Sequence, residues 1–160
     1  MSVPKSRRTE AKMHVHVELR RVLRHTLAKT RNTNKFGGST TYELVRDERG
    51  MVTSIVEHRS ASREAIAHRL DHAAIAASEC AWRANDIRVG DHGEGYEERR
   101  RLQEESIRHL GALLMLIDVA RAECGLSGKE VKYWSDLTRQ TRGLVRKWRD
   151  GDARRYRACA

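Results

Sequence analysis

Apolar positions recur at spacings of three and four along most of this chain, the period of a helix that buries one face. Four such stretches stand out. The first covers about residues 8–31, with Ser6 as the expected N-cap and Val15, Leu19, Val22, Leu23 and Thr26 as one stripe. The second covers about 62–87. Its stripe of Ile66, Leu70, Ala73, Ala77, Cys80, Ala84 and Ile87 is narrow and built largely of small residues, which suits close helix approach. The third covers about 95–124. The fourth follows Gly125, with Ser127 as its cap, and runs to about residue 150 along Val131, Trp134, Leu137, Thr141, Leu144, Val145 and Trp148.

Between the first two helices the period changes. Residues 40–45 and 51–56 are rich in β-formers, and Arg46-Asp47-Glu48-Arg49-Gly50 between them is a turn candidate. A β-hairpin insert over about 38–59 is expected. Gly90 to Gly95 reads as a flexible connection, and residues 151–160 as a flexible basic tail. The predicted fold is all-α: a single up-and-down four-helix bundle over residues 1–160 carrying that hairpin. The only proline, Pro4, lies outside every helix interior. In such a bundle the first and fourth helices are neighbours, and the N-terminus of one shares an end with the C-terminus of the other.

Charge changes the picture. Residues 1–31 carry a net +7, residues 127–160 a net +6, and residues 32–126 a net −3, which together make the +10 of the chain. Excess cations at both ends point to a polyanion partner. Lys132, Arg139 and Arg146 fall opposite Trp134 and Trp148 on the fourth helix, flanked by Arg142 and Arg149, with few acids interleaved. Arg20, Arg24 and Arg31 point away from the apolar stripe of the first helix, and Arg154 and Arg155 extend the basic C-terminal segment. Arginine suits phosphate because its planar fork donates two bonds to one anion. The two basic segments are expected to merge into one region.

Residues 110–117 of the third helix contain no polar side chain. Leu110, Leu113, Leu114 and Ile117 fill one face, so Met115 and Leu116 are expected to project outward and meet the hairpin or another subunit. A homo-oligomer is the preferred expectation. Asp118, closing the run, is expected to need a buried partner. His68 and His72 share a helix face, but a third metal ligand is not evident, and exposed histidines are the better reading. Cys80, Cys124 and Cys159 fit neither a zinc spacing nor a disulfide framework, which favours a reducing cytoplasm. The polar opening has no apolar stretch behind it, and residues 110–117 are too few to span a membrane. No nucleophile elbow, phosphate loop or paired-carboxylate motif occurs, and Gly37-Gly38-Ser39 is a hinge rather than a phosphate cradle. Neither an enzyme nor a cofactor is expected.

Several segments carry a resemblance. They are Ser2-Val3-Pro4-Lys5-Ser6-Arg7-Arg8, Ala84-Asn85-Asp86-Ile87-Arg88-Val89, Arg100-Arg101-Leu102-Gln103-Glu104, the run 113–120 with Asp118, and Val131-Lys132-Tyr133-Trp134. Together they resemble the accessory variability determinant of diversity-generating retroelements, across all four helices. Related bundles are encoded in intervening sequences of large-subunit ribosomal RNA. The resemblance implies a non-enzymatic, basic homopentamer of four-helix bundles. It also implies two partners, a reverse transcriptase and nucleic acid (template RNA, cDNA or both), in the synthesis of mutagenic cDNA. The insert at 38–59 departs from the family, where a shorter first connection is expected. The other reading is a structural or protein-interaction bundle with a basic face.

Overall fold

Helix-forming periods uninterrupted by proline give four long helices, and the switch to β-branched residues gives one hairpin. The structure, a computed structural model, describes the backbone of residues 5–37 and 39–156, with side chains at 5–13, 33, 39–42 and 57–60 outside the description. In chain order the elements are α1 (Lys5–Thr30), the single turn α2 (Thr33–Phe36), β1 (Ser39–Arg46), β2 (Val52–Ser60), α3 (Ser62–Asp86), α4 (Tyr96–Cys124) and α5 (Gly128–Tyr156). Three boundaries differ from expectation. Ser6 lies inside α1 rather than capping it. A single turn that the sequence did not lead one to expect, α2, follows the end of α1 at Thr30 and buries Phe36. The expected flexible tail is helix through Tyr156, and residues 157–160 lie outside the described residues.

The protein is mostly helical with a small two-stranded antiparallel sheet. Among the long helices, α1 packs on α3 and α5, and α4 packs on the same two. Each neighbouring pair runs antiparallel, as its contacts require. Thr30 donates from Oγ1 to Asp71 at 2.7 Å while His16 meets Trp82 edge-on, joining α1 and α3. Ser106 donates to the Ala77 carbonyl at 2.8 Å, and Arg63 to the Glu123 carbonyl at 3.0 Å, joining α3 and α4. The small residues of α3 permit that approach: Ala73, Ala74, Ala77, Ala81 and Ala84 are all buried. The rest of the core comes from Leu19, Val22, Leu70, Leu102, Leu110, Leu113, Ile117 and Trp134.

The helix ends are closed locally. Ser127 and Glu130 form a reciprocal capping box on α5: the Ser127 amide donates to Glu130 Oε2 at 3.0 Å, and the Glu130 amide to Ser127 Oγ at 3.3 Å. Lys35 of α2 and Lys29 of α1 each reach the same carboxylate at 2.9 Å. The Lys35 ammonium first, then the Ser127 amide and Lys29, hold Glu130 far below the usual carboxylate range. Gly95, at φ +81°, precedes α4 where a Cβ would meet Ile87 and the Arg88 carbonyl, so a larger residue there is strained.

The hairpin pairs Ser39 with Ser60 through Leu44 with Ile55, with a register shift at Val45/Arg46. Asp47 closes the turn, accepting from the Arg49 and Met51 amides at 2.9 Å each. Its described side chains, Glu43 through Val56, are all exposed. That described part of the insert, residues 43–56, therefore stands exposed rather than covering α4.

Two expectations about α4 need correction. Leu116 is 8% exposed and belongs to the core of its own chain, because α3 covers more of α4 than a narrow two-face seam implies. Met115 alone of that pair projects, at 59% exposure. Asp118 is exposed and needs no buried partner.

Candidate nucleic-acid interface

The antiparallel run of α1 and α5 brings the N-terminal part of α1 to the C-terminal part of α5. His16 lies edge-on to Trp148 with ring centroids 6.0 Å apart. Further along, Trp134 Nε1 donates to Thr26 Oγ1 at 3.1 Å, and Arg21 donates to the Tyr133 hydroxyl at 3.3 Å. The two basic ends thus share one end of the molecule.

The strips along the helices do not merge. Arg21, His25 and Lys29 border α5. Arg20 and Arg24, each about 100° round α1 from Arg21 and His25, turn away from α5, as does Arg31. On α5 the strip leans the other way. Arg142 is half-buried with its guanidinium against Gly111 of α4, at 3.1 Å from the position a Cβ would take. The helical period fixes this divergence, since the residues that pack α1 on α5 lie between the two strips.

The α5 strip is also less uniformly positive than expected. Asp136 sits within it, 2.7 Å from Lys132 and 3.3 Å from Arg139. Those two cations, Lys132 first, lower its pKa. Arg149 pairs with Asp150 at 2.8 Å, and Arg155 lies 3.9 Å from Asp152 and over the Tyr156 ring. Arg142 and Arg146 make no ion pair among the described residues, nor do Arg20, Arg24, Arg31 and Arg154, and all but the half-buried Arg142 are exposed. Burial, then Arg146, lowers the Arg142 pKa, the mark of a cation without a nearby anion.

The basic C-terminal turn is held by a buried polar cluster. Arg99 Nε and Gln103 Nε2 both donate to Asp152 Oδ2, at 2.7 and 2.8 Å, and Arg99 Nη1 donates to the Ile87 carbonyl at 3.1 Å. The Arg99 guanidinium lies 5.2 Å over the Trp148 ring. Arg154 and Arg155 are therefore presented on a pinned helix. Sequence reasoning missed this cluster, although Arg99 stands on the same face as Leu102, Ser106 and Leu110, and Asp152 continues the Trp134, Thr141, Val145, Trp148 stripe.

His25 is a second feature that sequence reasoning missed. Its ring meets Tyr133 and Trp134 edge-on at 5.0 and 5.7 Å. Burial first, then Lys29 and Arg21, push its pKa below the ordinary value of 6.5. The unfolded chain takes up a proton near that value and the folded chain resists it. The stability contributed is complete above pH ~6.5 and is lost as pH falls through the lowered folded pKa. Melting temperature should drop as pH falls below about 6.5, and His25→Phe should flatten the drop. His109, also lowered by burial and then by His72, accounts for a remainder. A drop unchanged by His25→Phe would assign it elsewhere.

His68 and His72 are exposed, and no group of three or more potential metal ligands occurs among the described residues. None of the described helices is long and apolar enough to cross a membrane. No protein-family model matches this chain, and comparison with the curated proteins and with the solved structures returns no match.

Proposed function

We propose that this chain is a non-catalytic, nucleic-acid-binding four-helix bundle that assembles with copies of itself, as a pentamer, and serves a reverse transcriptase in template-RNA-directed mutagenic cDNA synthesis in the cytoplasm. Contacts of α1 with α3 and α5, and of α4 with the same two, all antiparallel, support the up-and-down bundle. The observation that carries nucleic-acid binding is the set of arginines without a described carboxylate partner: Arg20, Arg24, Arg31, Arg142, Arg146 and Arg154. In a chain of net +10 such side chains are ready phosphate ligands. The retroelement partner rests on the resemblance of the segments quoted above. The exposed Met115 supports assembly.

Binding to single-stranded RNA or DNA, followed by fluorescence anisotropy, should weaken linearly in log affinity with log salt, with little sequence preference. The triple variant Arg139→Ala, Arg142→Ala, Arg146→Ala should make that slope shallower by about two to three. An unchanged slope removes the α5 strip from the interface. The polymerase role is tested by reconstitution with purified reverse transcriptase and template RNA. Correctly primed cDNA appearing equally well without this protein would overturn it. The exposed hairpin favours the second reading, a bundle that acts through protein contacts.

A further inference from the structure

We infer that Tyr133 is a stacking platform for an unpaired base, set in a basic seam between α1 and α5 that takes single-stranded nucleic acid. This rests on the nucleic-acid reading proposed above, and adds a place on the molecule and a strandedness that the outward strips do not give.

Tyr133 is 48% exposed, yet its ring is held in place. Arg21 of α1 donates to its hydroxyl at 3.3 Å, and the His25 ring meets it edge-on with centroids 5.0 Å apart. A half-exposed aromatic ring fixed at two points loses little conformational freedom when a base stacks on it. Every base has a π-face, so such a platform tolerates any sequence. A paired base keeps its faces inside the duplex stack and does not reach it.

The rows beside the ring carry phosphate ligands. Tyr133, Gln140, Lys147 and Arg154 stand seven residues apart on one face of α5, and Lys129 lies one turn before Tyr133. Lys129, Lys147 and Arg154 are exposed and make no ion pair among the described residues. Across the seam stand His14 and Arg21, seven apart on α1 and both exposed. The nearby acids are already engaged. Glu18 lies 3.8 Å from Arg21, Glu130 takes Lys29 and Lys35 at 2.9 Å each, and Asp136 holds Lys132 and Arg139. Tyr133 to Arg154 spans about 30 Å along the helix axis. That is room for an extended strand with one base on the ring and its phosphates along the cations.

The test uses the full chain and fluorescence anisotropy. A labelled single strand of mixed sequence is compared with an abasic strand of the same length, which keeps the phosphates and lacks the bases. The parent should bind the base-bearing strand about five- to a hundredfold more tightly. Tyr133→Leu should lose that preference with an unchanged salt slope, because the phosphate contacts remain. Tyr133→Phe, which keeps the ring, should retain the preference. Lys147→Ala with Arg154→Ala should weaken both strands alike and make the slope shallower by about one. A parent that binds both strands equally, or a Tyr133→Leu chain that keeps the preference, overturns the stacking and leaves nucleic-acid binding standing. A Tyr133→Leu chain weakened on both strands alike overturns it too, and assigns the ring to holding Arg21. An unchanged slope in the Lys147, Arg154 variant overturns the seam as the path of the strand. Polyglutamate bound as tightly as the base-bearing strand overturns it in favour of an acidic protein. A parent that binds neither strand overturns the nucleic-acid reading itself.

Discussion

Asp152→Ala should lower the stability of the fold by about 3–5 kcal/mol, because it leaves the buried Arg99 guanidinium without its counter-ion. Both side chains are only 3% exposed, and the Asp152 oxygen also serves Gln103. For a chain of this length that is a drop in melting temperature of about 10 °C, read by circular dichroism at fixed protein concentration. The contrast lies in the paired replacement. Arg99→Met with Asp152→Leu removes both charges and should lose far less, since the cost comes from an orphaned charge rather than from a missing attraction. Equal losses in the single and double variants would contradict this account. Amide exchange at Arg154 and Arg155 should accelerate in Asp152→Ala, since the last turn of α5 loses its tie to α4.

Trp134→Ala should cost a similar amount, about 3–5 kcal/mol, for a different reason. Trp134 is fully buried in the core, and its indole N–H is used by Thr26 of α1. Truncation opens a cavity that neighbouring helices close only in part, and it strips the His25 ring of one aromatic neighbour. Thr26→Val separates the two contributions. It keeps the volume but leaves the indole N–H without an acceptor, for a loss of about 1–3 kcal/mol. If Trp134→Ala melts within a degree or two of the parent, α5 is not held on α1 by this residue.

The helices were readable because each stripe keeps its period over many turns. Val15, Leu19, Val22 and Thr26 on α1, and Leu70, Ala73, Ala77, Cys80 and Ala84 on α3, are all buried. The hairpin was readable because β-branched residues flank Asp47 and Gly50. What escaped lies where polar residues occupy apolar positions. Arg99 and Asp152 stand on buried faces, and a pattern scored by hydrophobicity passes over both, so it ends the fourth helix at about residue 150, short of Tyr156. Leu116 escaped for the reverse reason: an all-apolar run does not say how much of its circumference the neighbours cover. For the basic strips, each helix revealed its outward face, but the angle between the two faces depends on how α1 is rotated against α5. Tertiary contacts such as Arg21 with Tyr133 set that rotation.

The root of the hairpin has a use of its own. Ser39 and Ser60 are paired, so the insert leaves and re-enters the helical body at adjacent points. On one side of that junction Phe36 is buried and Lys35 is clamped to Glu130; on the other, Arg63 holds the Glu123 carbonyl. Residues 39–60 thus form an exchangeable cassette on a firm socket. Any segment whose ends meet at strand spacing, such as a foreign epitope or a reporter hairpin, should graft there with the helices left in place.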